Sequence, residues 1–335
     1  MKFVRALPPQ VLRSLGPGLL ASLIIAAAAA FLADHYSGPV MLFALLLGMA
    51  MNFLSEVERC RPGIDFASRT VLRLGVALLG FRITLGEIAA LGWRPVVLVI
   101  ALVTVTILAS IWVARRMGFS PLFGLLTGGA TAICGASAAA AISAALPPDP
   151  LKERNTLFTI IGVSTLSTMA MIIYPATIRL FGLDDVHSGM FIGSTIHDVA
   201  QVVGAGYAIS PEAGDTATVI KLMRVAMLLP VIVATTLLVR QKGVGEGKKP
   251  PLLPWFLAAF LLLVAVNSVL PIPTYVQDAG STTSRWCLVT AISALGIKTH
   301  FREIVDIGWK PVVLMVLETL FIAVLALVVI AGGWV

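Results

Sequence analysis

Eleven stretches of this chain each approach the ~20 apolar residues a helix needs to cross a bilayer, and that leaves few folds open. They run near 18–34, 39–55, 67–82, 95–114, 121–145, 155–178, 188–209, 216–239, 252–270, 277–297 and 311–332. A β-barrel would show short segments of alternating apolar and polar residues, and none is present. Continuous runs such as Ile24–Leu32 and Val96–Leu108 have helical length and composition. At 58% apolar and 12% charged residues, the chain could not cover a soluble core. Charge is also too scarce for a coiled coil or a nucleic-acid partner. The expectation is an all-α, polytopic integral membrane protein with about 11 transmembrane helices, its first partner the lipid bilayer.

Lys2, Arg5 and Arg13 before the first apolar run resemble a secretory signal, but ten further runs favour an anchor that stays in place. Loop Lys and Arg then set the orientation and account for the net charge of +7 without an anionic partner. With the N-terminus cytoplasmic, about sixteen basic residues fall inside, among them Arg115, Arg116, Arg179 and Lys310. Only about five, including Arg94, Lys152 and Arg154, fall outside. The C-terminus then ends outside a bacterial inner membrane. The expected division is 1–120 and 252–335 as two panel or scaffold parts, 121–240 as a core, and 241–251 as a cytoplasmic loop.

The most informative feature is self-similarity. Arg69–Leu98 aligns with Arg285–Leu314 without a gap at an offset of 216, with 12 of 30 positions identical. Gly80/Gly296, Glu87/Glu303, Trp93/Trp309 and Pro95/Pro311 are among them. The match extends upstream, where Pro39–Asn52 pairs with Pro254–Asn267. Spans 2–4 therefore recur as spans 9–11, an odd offset, so the copies should cross in opposite senses. Inverted repeats of this kind are characteristic of secondary transporters.

Two segments between the repeats look least like plain spans. Residues 127–145, TGGATAICGASAAAAISAA, and 193–210, GSTIHDVAQVVGAGYAIS, are broken by glycine and share Gly-x-Thr, as Gly129-Ala-Thr131 and Gly193-Ser-Thr195. Broken helices expose N–H groups at half-helix N-termini, which attract anions. The candidate substrate-binding set is Gly129, Thr131, Cys134, Gly135, Ser137, Gly193, Ser194, Thr195, His197, Lys221 and Arg224. Lys221 and Arg224 are three apart and share a helix face, on which they could hold anionic charge or pair internally with Asp198. His197, Asp198 and Glu318 are candidates for proton or ion coupling, because charge in the membrane is costly. Asn52 and Asn267, related by the repeat, are interhelical glue or site residues. On this span count the two interrupted segments lie an even number of spans apart and should not be inverted relative to each other.

No phosphate loop is present, and the three cysteines and four histidines are scattered, so no metal, cofactor or enzymatic chemistry is expected. Together LGVALLGFRITLGEIAALGW, TGGATAICGASAAAAISA, GSTIHDVAQVVGAG, IKLMRVAMLLP and ALGIKTHFREI resemble the YeiH-type sulfate exporter family, over about residues 36–320. That family is grouped with the bile-acid/sodium symporters and cation/proton antiporters. The resemblance implies a panel domain and a core whose two discontinuous helices, Thr127–Ala145 and Gly193–Ser210, cross at the substrate site. It also implies a homodimer. The paired acidic core motif of cation/proton antiporters is missing, and His197–Asp198 is its nearest equivalent. The expected function is alternating-access transport of a small anion (sulfate, sulfite or an organic sulfonate) coupled to H+ or Na+. The alternatives are a cation/proton antiporter using Asp198, and a channel or sensory membrane component.

Overall fold

The computed structural model describes residues 9–36, 39–147, 149–240, 255–270, 272–299 and 309–334. The helices in chain order are α1 (Pro9–Tyr36), α2 (Val40–Ala50), α3 (Arg61–Phe66), α4 (Leu72–Leu78), α5 (Leu85–Ala90), α6 (Arg94–Arg116), α7 (Pro121–Ala132) and α8 (Ala136–Ala145). They continue as α9 (Lys152–Leu180), α10 (Asp185–Thr195), α11 (Val199–Ile209), α12 (Pro211–Ala226), α13 (Leu228–Arg240), α14 (Trp255–Val269), α15 (Thr274–Ile297) and α16 (Trp309–Ala331). Among the described residues, five stretches are helical, long and apolar enough to cross a membrane: Ser14–Tyr36, α6, Lys152–Ile178, Pro211–Leu237 and α16. The other apolar runs form shorter or interrupted helices. The chain divides into two compact units, one of residues 1–85 and 256–300, the other of 86–255 and 301–335. α6 and α16 therefore belong with the interrupted helices, whereas the sequence reading ended the first part near residue 120.

In the first unit the repeat copies pack on each other reciprocally. Asn52 Nδ2 donates to the Ile297 and Thr299 carbonyls at 2.8 and 3.0 Å, and Asn267 Nδ2 donates to the Ile83 carbonyl at 3.3 Å. Thr299 and Ile83 are equivalent under the offset of 216. Gly296 and Gly80 repeat the relation: a Cβ on Gly296 would lie 2.4 Å from the Leu45 carbonyl, and one on Gly80 2.7 Å from that of its counterpart Phe260. Contacts in which A meets B′ and A′ meets B define an isologous interface. Both asparagines thus tie one repeat copy to the other through main-chain carbonyls. The second copy of the Glu-Ile…Gly-Trp turn, Glu303 included, lies outside the described residues as far as residue 308, and its Trp309 is the first residue of α16.

The second unit corrects the topology. Gly129 on α7 and Ile142 on α8 would be roughly 20 Å apart on one straight helix. Instead, a Cβ on Gly129 would lie 2.3 Å from Ile142 Cδ1, so the chain folds back between them. α10 and α11 fold back in the same way. Cβ atoms on Gly189 and Gly206 would both approach the Ala213 carbonyl, at 2.6 and 3.2 Å. α10 runs parallel to α12, with Gly189 on Ala213 and Gly193 on Ala217, while α11 runs antiparallel to it, with Gly206 near its end on Gly214 and the His197 carbonyl before its start bonded to Lys221. The half-helices of 10–12 residues rise about 15–18 Å, half of a ~30 Å hydrocarbon layer. The two expected crossing helices are thus two re-entrant hairpins.

Their direction follows from α9, which runs from Lys152 beside the α8 terminus, where Thr156 bonds Ser143 at 2.7 Å, to Leu180 at the α10 start. α7–α8 enters from the end of the unit holding residues 116–121, Leu146, Lys152 and Trp309. α10–α11 enters from the opposite end, which holds Trp93, Leu180–Asp185, Ser210 and Trp334. α16 runs antiparallel to α6, joining Glu318 to Ser110 and Trp334 to Trp93, whose ring centroids are 6.2 Å apart. Capping residues set the helix starts: Ser120 accepts from the Phe123 N–H at 3.2 Å, Asp184 from His187 at 2.8 Å and Ser210 from Ala213 at 3.1 Å. Pro121 and Pro211 occupy first helical positions, where a missing N–H costs little.

This topology makes a direct labelling prediction. In a chain whose native cysteines are replaced, Arg116→Cys and Asp149→Cys should react with a membrane-impermeant maleimide from the same side, and Leu180→Cys from the other. Labelling of positions 116 and 149 from opposite sides would restore the straight crossing.

Candidate functional site at the hairpin tips

The two hairpins meet at their tips, residues 133–135 and 196–198. Gly135 adopts φ +62°, a left-handed conformation that reverses the chain at little cost only for glycine. A Cβ there would lie 3.6 Å from the His197 carbonyl oxygen, so the tips touch. Each turn ends one helix and begins another. The C-terminal carbonyls of α7 and α10 and the N-terminal N–H groups of α8 and α11 therefore gather at mid-depth, where lipid offers no hydrogen bonds.

Lys221 and Arg224 settle the carbonyls. Both are fully buried on α12. Lys221 Nζ donates to Ile133 at 2.7 Å, to Ile196 at 2.9 Å and to the His197 carbonyl. Arg224 donates from Nε to Ala132 at 2.8 Å, from Nη1 to Gly193 and Ile196 at 3.0 Å each, and from Nη2 to Thr131 at 2.9 Å. Cations at helix C-termini are favoured by the dipole as well as by the hydrogen bonds. The head groups expected to face an anion are engaged with main chain, an arrangement no sequence pattern exposes.

The glycines also move. Gly129 and Gly193 lie near the C-terminal ends of α7 and α10, not at half-helix N-termini as their sequence context suggested. The N-termini begin at Ala136 and Val199. At α8 the cap is Gly135, with no side-chain bond, and Ser137 in the first turn is exposed. At α11 the cap is the partly buried Asp198, whose Oδ1 accepts from the Ala200 N–H at 3.0 Å, while its own N–H donates to Ser167 Oγ at 3.0 Å. Cys134, within the first tip, is buried. Ser194 and Thr195 turn inward, donating to the Phe191 carbonyl of their own helix at 3.1 and 2.6 Å. Asn52 and Asn267 lie in the first unit.

Glu318 joins this centre from α16. It is buried, and its Oε1 accepts from Ser110 and, at 2.7 Å, from Thr127, its Oε2 from Thr131 at 3.1 Å. His197 is also buried, with Nδ1 3.1 Å from the Thr131 carbonyl and Nε2 2.9 Å from Thr319 Oγ1. Since a carbonyl only accepts, Nδ1 carries a proton. Ser110, Ser167 and Thr319 were missed in the sequence. A hydroxyl on an apolar helix is unremarkable alone, and adjacency to Glu318 was the one available signal for Thr319.

A family profile described as "Conserved hypothetical protein 698" matches residues 17–315. The UPF0324 membrane protein of Chlorobaculum tepidum is 55% identical over 314 residues, covering 93% of this chain and 88% of its own. This chain belongs to the UPF0324 membrane protein family. TauZ, a UPF0324 membrane protein of Paracoccus denitrificans, is 51% identical and covers 92% of each chain, and a Rhizobium meliloti member is 49% identical over 95% of this chain and 93% of its own. No solved structure matches.

In this UPF0324 member, removing a buried cation should strand carbonyls at about 1–3 kcal/mol each. Lys221→Met is expected to lower the unfolding temperature in detergent markedly, whereas Ser137→Ala on the exposed turn should leave it unchanged. Equal unfolding temperatures for Lys221→Met and the unaltered protein would contradict the carbonyl-clamp role.

Proposed function

We propose that this protein is a secondary transporter of a small anion, with sulfate, sulfite or an organic sulfonate as the substrate class. One observation carries the reading: two half-helix N-termini converge at mid-depth, with the exposed Ser137 in the first turn of one and the partly buried Asp198 capping the other. Such N-termini bind anions through main-chain N–H groups, and secondary transporters build midplane sites from discontinuous helices. Lys221 and Arg224 act behind the site, neutralising the opposite helix ends so that positive potential prevails at the N-termini. The substrate's anionic group sits on the Ala136–Ala138 and Val199–Gln201 turns, and His197, Asp198 and Glu318 carry the coupling proton.

Inverted symmetry supports the same reading. One crossing, α9, separates the hairpins, so the segments sharing Gly-x-Thr enter from opposite faces. Replacing two crossings by hairpins also keeps an odd number of crossings between the outer repeat copies. The first end is then cytoplasmic, with Arg115, Arg116, Lys152, Arg154 and Lys310. The second carries Arg94 and Arg179 beside Asp184, Asp185 and Glu212. Lys152 and Arg154 move inside and Arg179 outside relative to the eleven-span reading, and the basic bias sharpens. The N-terminus lies in the cytoplasm and the C-terminus outside. The YeiH-type resemblance is consistent with an anion carrier.

Counterflow of radiolabelled sulfate, sulfite and alkyl sulfonates in proteoliposomes tests this. The expected result is saturable transport of at least one of them, abolished by Ser137→Trp without loss of the folded protein. Transport that ignores Ser137→Trp, or none of these anions moving while Na+ or H+ exchange does, would overturn the anion reading. In the rival cation/proton antiporter reading, Asp198→Asn abolishes ion binding. In ours it leaves anion binding and shifts only the pH dependence of transport.

A further inference from the structure

At the end of the second unit where α6 finishes and α7, α9 and α16 begin, a cavity of about 330 Å³ opens at the surface. Phe119, Phe123, Phe158 and Trp309 are among its walls, and Arg154 and Lys310 both line it. The cations are paired with aromatic faces: Arg154 Cζ stands 4.9 Å from the Phe158 centroid and Lys310 Nζ 5.8 Å from that of Trp309. Nearby at the end of α6, Arg116 lies 5.1 Å from the Trp112 ring. Trp112 and Trp309 are 59% and 71% exposed, which places the cavity in a belt of tryptophans and basic residues of the kind that marks the headgroup level.

We propose that this cavity is a binding site for an anionic phospholipid. The phosphate of the headgroup lies with Arg154 and Lys310, and the glycerol and upper acyl carbons lie on Phe119, Phe123 and Phe158. Charge complementarity selects the headgroup. The Arg154 guanidinium, close over the Phe158 ring, offers a planar fork of N–H donors that suits phosphate oxygens. α7 and α9 begin at this end and their dipoles add positive potential to the two side chains, while α6 ends here with Arg115 and Arg116 at its own C-terminus. The apolar wall argues for a lipid over a free anion, because an inorganic ion would leave the phenylalanine surface wet. Basic pockets between helices at a membrane surface recognise phospholipid headgroups by the same chemistry. The site is remote from the hairpin tips and independent of the transport reading.

The test uses the purified full chain in a neutral detergent, with thermal unfolding followed against added phosphatidylglycerol, phosphatidylcholine or inorganic phosphate. Phosphatidylglycerol should raise the unfolding temperature saturably, and phosphatidylcholine should not. The double variant Arg154→Gln/Lys310→Gln should need about tenfold more lipid or greater for the same rise. Both side chains are exposed, and the charge-keeping Lys310→Arg should preserve the response, which separates lost binding from lost folding. An equal rise with phosphatidylcholine, a full rise with phosphate alone, or an unaltered response in the double variant would each overturn the proposal.

Discussion

A helix cut at mid-membrane must find partners for its severed backbone, and the second unit is organised around that demand. Two hairpins present their carbonyl ends to one helix, α12, whose Lys221 and Arg224 reach the carbonyls of residues 131, 132, 133, 193, 196 and 197. Two buried cations would ordinarily be a heavy desolvation burden. Here each is matched by several dipoles already oriented toward it, and those dipoles would themselves be orphaned without it. The requirement is mutual, so α12 pins both tips at a common depth.

α16 supplies the second clamp. Glu318 gathers the hydroxyls of Thr127 and Thr131 on the first hairpin, and the neighbouring Thr319 meets His197 on the second. Thr131 is the junction: its hydroxyl serves Glu318 while its carbonyl takes Arg224 and stands beside His197. A change in the protonation of Glu318 would therefore be felt at the tip of α7 through one residue, with no long relay. The acid, the imidazole and the two cations form one polar cluster that joins α6, α7, α10, α12 and α16.

Much of this was legible in the chain. Apolar run length identified the membrane protein, and the cost of charge in lipid singled out His197, Asp198, Lys221, Arg224 and Glu318. The internal repeat was visible because Gly, Glu, Trp and Pro recurred at one offset. The hairpins were not legible, for a physical reason. Residues 121–145 are as long and as apolar as a straight span, and folding back at Gly135 changes neither quantity. The roles of Lys221 and Arg224 were hidden because their partners are main-chain carbonyls, which every residue has. Ser194 and Thr195 likewise looked available in sequence, yet their hydroxyls return to Phe191 in the preceding turn.

The reciprocal bonds of Asn52 and Asn267 in the first unit make its two related segments complementary to each other. A surface whose asparagine binds the partner's backbone, while the partner's asparagine binds its own, is complementary to itself. One copy of that segment already carries both halves of the joint, so two copies close on each other without a third element. The paired glycines at 80 and 296 then set how near the two backbones come, since a Cβ on either would meet the facing carbonyl.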